Sequence, residues 1–139
     1  MLKTRSVTDG TAAHATPFVS TQSGGGVGAS WVYVAGELDL ATSPQLEQTL
    51  REAERDARLV VLDLRELTFM DSAGVHTIVD AGIRYRRAGG RMIVVRAPVQ
   101  VDAVFTLIGV TEDVEIYDLA PGQPAVQALL QLGREPPAA

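Results

Sequence analysis

Short aliphatic runs alternate with amphipathic stripes along this chain, and that alternation leaves it few ways to fold. Arg58 to Asp63 has a Leu59-Val60-Val61-Leu62 centre, and Met92 to Val95 is a second run of the same kind. Between them Val75, Ile78, Val79, Gly82 and Ile83 recur at helical spacing. Arg84, Arg86 and Arg87 and then Gly89-Gly90 give that stripe the cationic last turn and glycine stop of a helix C-terminus. Upstream, Thr42-Ser43-Pro44 reads as a hydroxyl cap with proline in the first turn. Leu46, Leu50, Ala53 and Ala57 follow on one face, with Glu47 and Arg51 as an i,i+4 pair on another. Downstream, Pro98 opens a helix with Val101, Val104, Phe105 and Ile108 inward, and Gly109 ends it. Val114 to Tyr117 is a last short strand and Ala125 to Leu132 a last helix. Strands alternating with helices imply an α/β domain whose parallel strands pair through helical crossovers.

The 139 residues suffice for one domain with a continuous core. Aromatic residues are scarce and Trp31 is the single tryptophan, a composition that suits Val/Ile/Leu-rich parallel strands. With a net charge of −5 and no periodic basic face, nucleic acid is not expected as a direct partner. Lys3 is the only lysine, which reads as genomic base composition. The absence of cysteine excludes disulfides, Cys-ligated zinc and thiol catalysis. The basic start, Met1 to Arg5, is not followed by an apolar core, and no apolar run approaches the roughly 20 residues that span a bilayer. A soluble, cytoplasmic protein is expected.

Residues 1–16 are polar and aperiodic, which predicts a flexible arm, and 133–139 a frayed tail, leaving a domain over 17–132. Phe18-Val19-Ser20-Thr21 is a candidate edge strand, and Gly24-Gly25-Gly26-Val27-Gly28 a hairpin-like turn. That glycine cluster leads into the strand Trp31 to Val34, whereas phosphate-cradling loops lead into a helix. After Ala35 the chain is expected to turn at Gly36.

Phe69-Met70-Asp71-Ser72-Ala73-Gly74 stands between a strand and a helix, so Ser72 sits at a helix mouth, where free N–H groups and the dipole favour negative charge. Nucleophile, phosphate acceptor and helix cap are its three readings, and physics alone favours the cap. His76 and Asp80 follow at one-turn intervals, which invites a Ser-His-Asp hydrolase. Met70 stands where a nucleophile elbow requires glycine, however, and an i,i+4 row on a helix surface does not converge on a pocket with an oxyanion hole. The favoured reading of His76 and Asp80 is a solvated face. No metal site is expected: His14 and His76 are the only histidines, and the carboxylates are dispersed.

Asp71-Ser72-Ala73-Gly74 after Leu67-Thr68-Phe69-Met70, together with Gly36-Glu37-Leu38-Asp39 followed by Thr42, resembles the STAS domain. More closely, it resembles the bacterial anti-sigma-factor antagonists of partner-switching systems. The likeness covers roughly residues 17–132 and includes the Gly89-Gly90 turn and the Phe105 helix ending at Gly109. It implies a central, mostly parallel sheet of four to five strands, an N-terminal edge strand and about four helices largely on one side. It also implies a non-enzymatic switch. The unmodified protein binds an anti-sigma factor of the histidine-kinase-like ATPase type and frees a sigma factor, as in stress responses. The partner, carrying ATP and magnesium, then phosphorylates Ser72, and a PP2C-type phosphatase resets the state. On this resemblance Asp39, Thr42, Asp71, Ala73, Gly74 and His76 form the docking surface, and the chain itself holds no cofactor. Ala73 and His76 depart from the family pattern, the first removing a backup hydroxyl and the second placing an imidazole one turn from Ser72. A STAS scaffold or ligand-sensing module without an anti-sigma partner is the alternative, ahead of a hydrolase.

Overall fold

Six strands form a single sheet whose spatial order follows the chain. They are β1 (Leu2–Val7), β2 (Phe18–Gly24), β3 (Ala29–Leu38), β4 (Leu59–Met70), β5 (Arg91–Val95) and β6 (Glu115–Tyr117). The computed structural model describes residues 2–7, 18–24, 28–109, 114–125 and 127–128. β1, β2 and β3 pair antiparallel, and β3 to β6 pair in parallel. Each parallel step is bridged by a helix: α1 (Ser43–Asp56), α2 (Ser72–Arg87) and α3 (Val99–Ile108). The mostly parallel α/β sheet expected from the sequence is therefore present: four strands pair in parallel, N-terminal strands extend its edge, and three helices are described where about four were expected.

The expected stripes supply the core. Leu46, Leu50 and Ala53 of α1, Val75 and Ile78 of α2 and Phe105 of α3 are fully buried against Val32, Val34, Val60 and Leu62. Ala81 and Tyr85 of α2 join them beyond the expected stripe. On the opposite face Trp31, Val61, Ile93, Val95 and Tyr117 pack with Ala125 and Ala128. Side chains two residues apart share a face, so the β4 run was bound to feed both cores.

Several boundaries differ from expectation. Leu2–Val7, expected within the flexible arm, pairs with β2, with Arg5 opposite Ser20 and Val7 opposite Phe18. Backbone hydrogen bonding to an open strand edge does not need an apolar side chain, which explains why a polar segment can pair there. β2 is consequently an interior strand. The rest of the arm, the glycine turn at 25–27 and the tail at 133–139 lie outside the described residues. So does most of the expected last helix, of which Gln127 and Ala128 are helical. The turn expected at Gly36 does not occur: β3 runs on to Leu38, and Gly36 adopts φ +97° within it. Only glycine reaches that conformation without strain, so the residue bends a strand instead of ending it.

β4 continues to Met70, well past the apolar run that announced it. It carries one extra residue between the partners of Tyr33 and Ala35, and another between those of Gly36 and Glu37. Each bulge shifts the inward phase by one, so Leu64, Leu67 and Met70 all reach the helix-side core at intervals of three. The extra residues go outward: Thr68 and Phe69 are consecutive exposed positions.

Leu46→Ala or Leu50→Ala should lower unfolding free energy by about 2–5 kcal/mol in urea titrations, since both side chains are fully buried. Leu107→Ala, at a site 85% exposed, should change it by less than about 0.5 kcal/mol.

Candidate functional site

The ends of β3 and β4 place two loops side by side. After Leu38 the chain tightens around Asp39, whose Oδ1 accepts from the N–H groups of Ala41 and Thr42, both at 3.0 Å. Thr42 does not cap α1 in the expected way. Its Oγ1 donates to Glu37 O at 2.9 Å and accepts from Asp39 N at 2.9 Å. Ser43 Oγ donates to Asp39 O at 2.7 Å. The Asp39 and Thr42 side chains are thus folded into the loop, and they shape it. What the loop displays outward is Leu40, 77% exposed, and Ala41.

The second loop is joined to the first through Asp71. Its N–H donates to Leu38 O at 3.1 Å. Its carboxylate accepts from Gly74 N at 3.0 Å through Oδ1 and from Leu40 N at 3.2 Å through Oδ2. One carboxylate therefore caps α2 and ties the Leu40 loop to that cap. The cap expected at Ser72 belongs to Asp71, because a β-region residue whose carboxylate reaches the N–H three positions on satisfies the helix end. Ser72 becomes the first helical residue. It is exposed, and its Oγ has no hydrogen bond among the described residues.

Ala73 is half-buried and Gly74 buried. A Cβ on Gly74 would lie 2.7 Å from Leu38 Cγ and 3.1 Å from Leu38 O, so the helix start abuts the end of β3. Beside Ser72, Leu40, Pro44, Glu47, Ala73 and Thr77 line a shallow groove between the starts of α1 and α2. The acidic groups Asp39, Glu47 and Asp71 border this surface, while the arginines of α2 lie in its last turn.

His76 and Asp80 are both exposed on α2. No hydrogen bond links Ser72, His76 and Asp80 among the described residues. The row lies open along the helix. Two exposed apolar residues close to these loops in the chain were given no role by the sequence reading. Leu40 is a lone leucine in a turn, and Phe69, 47% exposed, is turned outward by the second bulge of β4. A leucine directly after the Asp39 turn was the available signal for the first. Nothing local announces a bulge.

Asp71→Ala should cost about 0.5–2 kcal/mol through the lost cap and should also shift the Leu40 amide in NMR spectra, which a change confined to α2 would not do. Gly74→Ala should destabilise by about 1–3 kcal/mol, because the new methyl meets Leu38 backbone as well as its side chain.

Comparison with known proteins fits this geometry. The STAS domain family model matches residues 21–120. A protein of Paenibacillus polymyxa described as an anti-sigma F factor antagonist is 33% identical over 89 residues, covering 63% of this chain and 76% of that one. An anti-sigma-B factor antagonist of Listeria monocytogenes is 27% identical over 89 residues, covering 63% of this chain and 78% of its own. Among solved structures, the anti-sigma factor antagonist SpoIIAA in its unphosphorylated form superposes with a TM-score of 0.67 at 19% identity, over 84% of this chain and 97% of that one. The Bacillus cell fate determinant SpoIIAA in its phosphorylated form gives 0.62 at 18% identity, over 81% and 98%. No described helix is long and apolar enough to cross a membrane. With the family model spanning the sheet from β2 to β6 and both site loops, the chain belongs to the STAS domain family.

Proposed function

We propose that this protein is an anti-sigma factor antagonist that works by partner switching, with Ser72 as the phosphoacceptor. The observation that carries this reading is the division of labour at the start of α2. Asp71 caps the helix, and the neighbouring hydroxyl stays exposed and unengaged. A substrate hydroxyl needs no pocket of its own when the partner supplies ATP, magnesium and the base. The partner is an anti-sigma factor of the histidine-kinase-like ATPase type, and a PP2C-type phosphatase resets the switch. Both act in the cytoplasm, where the sigma factor works.

Unmodified, the surface offers Leu40 and Phe69 as apolar anchors beside a neutral hydroxyl. Phosphorylation adds about −1.5 to −2 charges next to Asp71. The N–H groups at the helix start accommodate that phosphate, so the fold persists. A partner surface matched to the neutral form then meets like charge and an added desolvation cost. A coupling of ~3 kcal/mol suffices for a hundredfold loss of affinity. Asp39 and Thr42 contribute by holding Leu40 in place, while Ala73, Gly74 and His76 form the adjoining helix surface.

The cognate anti-sigma kinase with ATP should label the wild type and leave Ser72→Ala unlabelled; equal labelling would remove Ser72 from the mechanism. Ser72→Glu should lose partner binding while retaining a native circular dichroism spectrum, and tight binding by this variant would contradict the charge switch. Leu40→Ala and Phe69→Ala should each weaken the unmodified complex by about 1–2 kcal/mol in calorimetry, as buried interface anchors do.

A further inference from the structure

A depression of about 560 Å³ lies between the C-terminal ends of α1 and α2, lined by Arg51, Arg55, Arg58, Arg84, Tyr85 and the Gly89-Gly90 turn. The 16 residues of α2, rising about 1.5 Å each, separate it from Ser72 by ~20 Å. Four guanidinium groups and one carboxylate, Glu54, line it, in a chain whose net charge is −5. The arginines come from α1, from the loop after it and from α2, so they converge only in the folded molecule.

Two of the four are engaged. Arg84 grips Glu54 with contacts of 3.2 and 2.8 Å, and Arg51 reaches Glu47 at 3.6 Å. Arg55 and Arg58 make no ion pair or side-chain hydrogen bond among the described residues. Arg55 stands in the last turn of α1, where a cation suits the helix dipole, but the end of α2 does not call for further charge. The last carbonyls of α2, on Arg84, Tyr85 and Arg86, already accept from the N–H groups of Ala88, Gly89 and Gly90 at 2.9–3.2 Å.

Tyr85 is the buried part of the lining. The residue is 5% exposed, and its hydroxyl is buried with no hydrogen bond among the described residues. Buried hydroxyls are ordinarily satisfied. The ring stands against the glycine wall of the depression, since a Cβ on Gly90 would lie 2.5 Å from its Cε1 and Cζ. Burial, and then the Glu54 carboxylate, push the phenol upward against the opposing pull of Arg58, so it remains a donor.

We propose that this depression binds a small phosphorylated ligand, with Arg55 and Arg58 on the phosphate head. A tetrahedral dianion can accept from two guanidinium forks at once, whereas a planar carboxylate is matched by one fork. The volume suits a small molecule, for which pockets of about 300–1,000 Å³ are usual. The site is separate from the Ser72 surface and stands whether or not the switch does.

Inorganic phosphate and phenyl phosphate, titrated at constant ionic strength into the isotope-labelled full chain, provide the test. At least one should give saturable NMR shifts centred on Ala57, Arg58, Ala88, Gly89 and Gly90, with chloride giving none. The double variant Arg55→Gln/Arg58→Gln should weaken that binding by about tenfold or more, as loss of charge-assisted contacts does. Both positions are exposed and unpaired among the described residues, so the double variant should melt like the wild type. Failure of both probes to saturate below about 10 mM, or wild-type affinity in the double variant, would overturn the proposal.

Discussion

The carboxylate of Asp71 is the interaction on which the functional end of this molecule depends. It accepts at once from Gly74 N in its own helix and from Leu40 N in the neighbouring loop. Two segments separated by 31 residues of chain are thereby held as one surface. Because the cap is an aspartate one position earlier, the serine that follows has no structural hydrogen bond to make. Freedom of the Ser72 hydroxyl is a consequence of who caps the helix.

That bridge requires the end of β3 and the start of α2 to be in contact. Gly74 makes the approach possible, since a methyl there would strike Leu38. The two bulges of β4 deliver the chain to this point. They keep Leu64, Leu67 and Met70 in the core while turning Thr68 and Phe69 outward beside the site. The packing that stabilises the sheet and the surface offered to a partner are set by the same extra residues. At the other end of α2 the physics reverses: a chain of net negative charge gathers four arginines around one depression.

Much of this was legible in the chain because it is local. The stripes of α1, α2 and α3 and the runs of β4 and β5 repeat at fixed periods, and those periods decide which face is buried. The Asp71-Ser72-Ala73-Gly74 and Gly36-to-Thr42 motifs located both loops of the site. Less legible were features in which backbone geometry or a distant partner intervenes. Gly36 looked like a turn and is a bent strand position, because a positive φ serves either purpose. Leu2–Val7 looked too polar to be ordered and is a strand, because pairing uses backbone groups that composition does not report.

By itself, then, the sequence determined the α/β alternation, the core faces of the helices and the place of Ser72 at a helix mouth, since each follows from spacing over a few residues. Only the tertiary structure decided that Asp71 caps the helix and reaches Leu40, that bulges expose Phe69, and that arginines from α1, the loop after it and α2 meet beside Tyr85. Those outcomes rest on contacts between segments far apart in the chain. Their geometry is fixed by how the sheet and helices pack, and no local pattern encodes it.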